Sequence, residues 1–140
     1  MWPFPLRPFA ARRGRADRYS YVAFTLAAPP LLAAALFAAA ARPDRVAAIV
    51  SRGGRPDLAI IALPQVRAPT LLIVGGADRE VLEVNKAALG HFIGADNKLW
   101  VVPGATHLFP EPGALNAVVD WACVWFQRHM PKSLKQKRAG

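Results

Sequence analysis

A single cysteine, Cys123, and only three serines, Ser20, Ser51 and Ser133, occur in the 140 residues of this chain. One cysteine excludes an internal disulfide framework, a zinc site built on paired cysteines and a CxxC redox pair, and it fits a reducing, cytoplasmic setting. Acidic residues are also scarce, nine against 18 basic ones, which gives a formal net charge of +9. That excess sits at the two ends. Residues 1 to 18 carry five arginines against Asp17, and residues 128 to 140 carry Arg128, Lys132, Lys135, Lys137 and Arg138 with no acid. Residues 19 to 127 balance at eight basic and eight acidic. A folded part without a basic face gives no footing for tracking a phosphate backbone, so nucleic acid is not an expected partner. No metal-ligand cluster or cofactor motif stands out, and neither is expected.

What the chain does have is apolar residues, 54% of the total, enough for one core and too little for two ordinary domains. The first 18 residues, rich in arginine and proline, have no usable period and read as an irregular basic segment. Residues 19–130 read as the folded domain and residues 131–140 as a basic tail. Within the domain, residues 19 to 41 form a run of 23 without charge, preceded by Arg12 and Arg13. Length and flanks permit a membrane span or export signal. Pro29-Pro30 in mid-run opposes a span, because lipid offers no substitute for the lost backbone hydrogen bonds. The membrane-anchored or exported protein is therefore the second reading.

The rest alternates. "YVAFTL" (Tyr21 to Leu26) suits a strand, and Leu31 to Ala41 a helix ending before Pro43. "RVAAIVS" (Arg45 to Ser51), "APTLLIVGG" (Ala68 to Gly76) and "KLWVV" (Lys98 to Val102) are continuous apolar runs bounded by turn residues, which suits strands buried on both faces. Helices are expected from Val84 to Ile93 and from Pro112 to His129. In the latter, Leu115, Val118, Val119, Ala122 and Phe126 mark the apolar face, with Val124 or Cys123 beside them. Strands alternating with helices imply an α/β fold, a short and mostly parallel sheet of three or four strands with helices on both faces. Working loops in such a sheet lie at the carboxyl ends of the strands. That rule selects Asp78, in "GGADREVLEVN", and His107, in "PGATHLFPEP". A carboxylate that accepts the proton of one imidazole nitrogen fixes the tautomer and leaves the other nitrogen free to deprotonate a nucleophile. Asp78 could instead cap backbone N–H groups of its own turn. Asp57 is a reserve acid at the same edge.

The segments "ARPDRVAAIVSRGGRPDLA", "APTLLIVGGADREVL" and "LWVVPGATHLFPEPGAL" together resemble the carboxyl-terminal part of an α/β-hydrolase of the dienelactone-hydrolase-like group. The resemblance implies a partial α/β-hydrolase fold, an ester or lactone as substrate, Asp78 as the acid of a catalytic triad and His107 as its general base. It also implies a nucleophile on a Gly-x-Ser-x-Gly or Gly-x-Cys-x-Gly elbow ahead of the helix that runs into Ala41. What stands there is "AFTLAAPPLL", with no serine, cysteine or glycine. Thr25 lacks flanking glycines, Ser20 and Ser133 lie at the margins, and Cys123 follows His107 in the wrong order. Ser51 ends a strand and could point into a site. Without an elbow, one oxyanion donor is lost as well. The expected activity of this chain alone is little or none. The missing elbow fits a truncated or frame-altered hydrolase, or a non-catalytic domain that binds a ligand or partner through the retained loops. The strand from Arg45 is expected to expose an unpaired edge unless Tyr21 to Leu26 or another chain covers it.

Overall fold

A computed structural model describes residues 21–26, 29–94 and 96–129. The basic segments 1–18 and 131–140, with Ser20 and Ser133, lie outside the described residues. The strands β1 (Tyr21–Leu26), β2 (Val46–Arg52), β3 (Thr70–Gly75) and β4 (Asn97–Val102) form one sheet in sequential order. Each neighbouring pair is parallel. Helices α1 (Pro29–Ala41) and α2 (Arg79–Leu89) follow β1 and β3, α3 (Ala114–His129) follows β4, and two 3₁₀ turns, Pro56–Ala59 and Leu63–Gln65, connect β2 to β3. This is the α/β architecture that the alternation of apolar runs implies, with every strand pair parallel.

Because successive strand side chains point to opposite faces, each strand contributes to two cores. Ala48 and Val50 of β2 and Leu71 and Ile73 of β3 pack with Val118, Ala122 and Trp125 of α3. Ile49, between the first two, packs on the other face with Leu32, Leu36 and Ala39 of α1, Leu63 and Val66 of the connection, and Ala88 of α2. Burial on both faces is why β2 and β3 read as unbroken apolar runs.

Three local expectations change. Helix α1 begins at Pro29, two residues before the expected Leu31, since a first-turn residue has no intrahelical acceptor for its N–H to lose. The uncharged run is thereby divided between a strand and a helix of 13 residues, about 20 Å long. The hydrocarbon of a bilayer is ~30 Å thick. No helix among the described residues is long and apolar enough to cross a membrane. Helix α2 starts at Arg79, five residues before the expected Val84, so Asp78 is its N-cap residue and the loop from β3 is short. The buried stripe of α3 is Ala114, Val118, Ala122 and Trp125, while Leu115, Val119 and Val124 are exposed. Small residues let the helix sit close to the sheet, and only the sheet decides which of its apolar stripes faces inward. The edge of β2 is covered by Tyr21–Leu26, one of the two ways expected to close it, in the register Thr25↔Ser51.

The end of α3 is tied down by polar contacts. Trp125 Nε1 donates to the Pro69 carbonyl at 3.3 Å, and the His129 ring packs on Trp125 with centroids 4.4 Å apart. Leu36 is fully buried between α1 and the sheet, whereas Leu31 of the same helix is 56% exposed. Leu36→Ala is expected to destabilise by about 2–5 kcal/mol, and Leu31→Ala by about 0.5 kcal/mol or less. Urea denaturation of the two variants measures the difference.

Candidate active site

The parallel pairing of β3 and β4 ends level, with Gly75 opposite Val102, so the two following loops leave the same edge of the sheet. Backbone bonds hold them together. The Gly76 N–H donates to the Val102 carbonyl at 2.8 Å and the Ala77 N–H to the Ala105 carbonyl at 3.0 Å. Asp78 stands at the N-cap of α2 yet makes no side-chain cap bond. Its Oδ2 instead lies 2.7 Å from Nδ1 of His107. The carboxylate is largely enclosed, its side chain 15% exposed, and the imidazole is open at 42%. Nδ1–H donates to the carboxylate in the neutral ring, and no described residue bonds Nε2. An imidazole held in this tautomer can take a proton at Nε2 and return it.

Residues that no sequence motif marks hold this pair in place. A Cβ at Gly75 would overlap the Ala105 carbonyl, so only glycine lets the histidine loop lie against the end of β3. Gly53, just past β2, has φ +59 and lies beneath the imidazole, where a Cβ would come 3.4 Å from Cε1 and 3.5 Å from Nδ1. The doublet Gly53-Gly54 is the sequence signal for this floor, although on its own it marks only a turn. Beyond the histidine, Phe109 is almost fully buried and adopts φ 57, a left-handed conformation that costs a side chain about 1–2 kcal/mol. Nothing in the sequence announces it. Glu111 Oε1 accepts hydrogen bonds from the Thr106 N–H, at 2.9 Å, and from its hydroxyl, and so closes the loop around His107.

The other sequence candidates are placed elsewhere. Asp57, the reserve acid, forms a bidentate pair with Arg55, at 2.9 and 2.8 Å. The Arg55 hydrogen bonds hold its carboxyl below the usual range. Ser51 is sealed from solvent beside the loop after β2, and its Oγ, which has no hydrogen-bond partner, would be in the way of any Cβ at Gly54. Thr25 lies next to the carboxyl end of β1, and Cys123 is exposed on α3. Among the described residues no group of three or more His, Cys, Asp or Glu could hold a metal ion.

With this geometry in view, the comparisons with known proteins define a class. The chain resembles the crystal structure of a dienelactone hydrolase from Anabaena variabilis ATCC 29413, with a TM-score of 0.73 and 51% sequence identity, covering 79% of this chain and 50% of that one. The fold is thus a partial dienelactone-hydrolase-like α/β fold. Two Mycobacterium tuberculosis proteins, from strains CDC 1551 / Oshkosh and ATCC 25618 / H37Rv, each carry the name "Putative phosphoribosyl transferase". Each is 58% identical over 73 residues, 52% of this chain and 16% of the relative. The chain therefore matches half the length of the solved structure and about a sixth of the curated relatives. No protein-family model matches it.

Gly75→Ala forces the histidine loop off the strand end and is expected to destabilise by about 1–3 kcal/mol, with loss of the short His107–Asp78 contact; chemical denaturation and ring NMR read the two effects. The hydrogen bonds from Thr106 hold the Glu111 carboxyl below its ordinary range. A group with a lowered folded-state value contributes fully above its unfolded value, about 4.3 for glutamate, and loses that contribution as the pH falls through the folded-state value. Hydrogen-exchange protection of the Thr106 amide should accordingly hold at neutral pH and fall only in the acid range, below the unfolded value. In Glu111→Ala it should be low throughout.

Proposed function

We propose that this chain carries the acid and histidine half of an ester- or lactone-cleaving site of the dienelactone-hydrolase-like family, without the nucleophile which that half serves. The 2.7 Å contact between His107 Nδ1 and Asp78 Oδ2, at the carboxyl edge of a parallel sheet, is the observation that carries this reading. The likeness to the solved dienelactone hydrolase supports it. The 73 residues matched to the named transferases are 16% of those proteins, too small a share to bring their activity to this chain.

In the implied chemistry, Nε2 of His107 takes the proton from a hydroxyl or thiol as it attacks the acyl carbon. It then passes that proton to the leaving alcohol, and repeats the cycle with water to release the acid. Asp78 keeps the ring in the required tautomer and stabilises it while it is charged. The position for the nucleophile in this fold lies between β1 and α1, where the sequence reads Leu26-Ala27-Ala28-Pro29 and offers no hydroxyl or thiol. The retained pair then has no proton to take from this chain. A small ester or lactone is the ligand class these loops would meet. Among the described residues β1 pairs on one side only, so a second chain supplying a nucleophile has an edge to join.

Loss of the nucleophile alone lowers turnover in a serine hydrolase by about 10⁶. Release of p-nitrophenol from p-nitrophenyl acetate by this chain should accordingly equal that of the His107→Ala variant. Turnover that is well above that level and vanishes in Thr25→Ala or Ser51→Ala would overturn the predicted inactivity and identify a nucleophile.

A further inference from the structure

Asn85 is fully buried in α2, an expensive place for a primary amide. Its Nδ2 donates to two carbonyls, that of Val81 one turn back at 2.8 Å and that of Gly54 in the loop after β2 at 2.9 Å. Its Oδ1 is buried with no partner. Leaving a buried acceptor unpaired costs about 1–3 kcal/mol, so stability alone does not explain an amide here. The two ends of its bonding do. Asn85 lies seven residues beyond Asp78, the N-cap of α2, so the same element that begins at the acid carries the amide about two turns further on. Gly54 directly follows Gly53, the residue beneath the His107 ring. Gly54 is itself wedged against Ser51 Oγ and the Leu32 side chain, so the loop has little room to shift in that direction. One side chain thus ties the helix that carries the acid to the loop that supports the imidazole.

We infer that Asn85 is a positioning residue for the acid–histidine pair, holding α2 and the Gly53-Gly54 loop at the spacing at which Asp78 and His107 meet. The inference deepens the functional reading above in that it concerns the same pair, but it does not require turnover. It acts through geometry, and its signature is the state of the His107 ring.

The test is ¹⁵N NMR of the imidazole in the full chain, at a pH where the ring is neutral, comparing the Nδ1–H and Nε2–H tautomers. The unsubstituted protein should show the Nδ1–H form, and Asp78→Ala should reverse it toward Nε2–H. Asn85→Ala is expected to lower the Nδ1–H population several-fold. Asn85→Ser is the milder variant, because its hydroxyl can still donate to the Val81 carbonyl four residues back but is too short to reach Gly54; it should give the same loss even if Asn85→Ala fails to fold. Val66→Ala, a cavity at the connection into the amino end of β3, is the control for general destabilisation and should leave the tautomer as it is. An unchanged tautomer in Asn85→Ser, with Asp78→Ala effective, overturns the positioning role and leaves the pair intact. An unchanged tautomer in Asp78→Ala shows that the pair does not form, and overturns both readings. An equal loss in Val66→Ala reduces Asn85 to an ordinary core residue.

Discussion

The pairing of β3 with β4, Thr70 opposite Asn97 through Gly75 opposite Val102, decides that Asp78 and His107 can meet. Parallel strands put both carboxyl ends at one edge, and equal reach brings both following loops to the same level. Asp78 leaves three residues beyond the end of one strand and His107 five beyond the end of the other. A register slip of one residue would exchange the faces of β4 and carry the imidazole away from the carboxylate. On β4 the register places Val102, with Trp100 packed beside it, in the same core as Leu71 and Ile73 of β3.

Around that pairing the structure uses backbone where side chains would not fit. Gly75 admits the Ala105 carbonyl, Gly53 lies under the imidazole, and Phe109 accepts a left-handed conformation in exchange for burial. These features constrain a histidine that is itself partly open to solvent. The Thr106–Glu111 hydrogen bonds brace its loop from the far side, and the Asn85 amide links α2 to the glycine floor. The imidazole is therefore held at Nδ1 while no described residue bonds Nε2. That is the arrangement which the proposed proton transfer requires.

Much of this was legible in the sequence. The continuous apolar runs read as strands covered on both faces, and their alternation with helices gave the parallel sheet. The carboxyl-edge rule then singled out Asp78 and His107 from the other acids and histidines. Less legible were the residues whose role depends on approach. A glycine doublet marks a turn but not a floor beneath a ring, and an asparagine in a helix does not reveal which distant carbonyl it meets. The stripe of α3 was misjudged for a related reason. That helix is apolar on more than one side, and only the sheet it lies on selects Ala114, Val118, Ala122 and Trp125 over Leu115 and Val119.

Residue types and their periods along the chain therefore determined the elements, their order and the two groups fit for acid–base work, and also the absence of a hydroxyl or thiol at the turn before α1. Those properties are local, since period, turn chemistry and side-chain identity act over a few residues. Only the tertiary structure decided that the Asp78 carboxylate turns to His107 instead of capping its own helix. That outcome is a contest between a nearby partner and one brought close by strand pairing. It is settled by a contact across 29 positions of sequence, which no local pattern encodes.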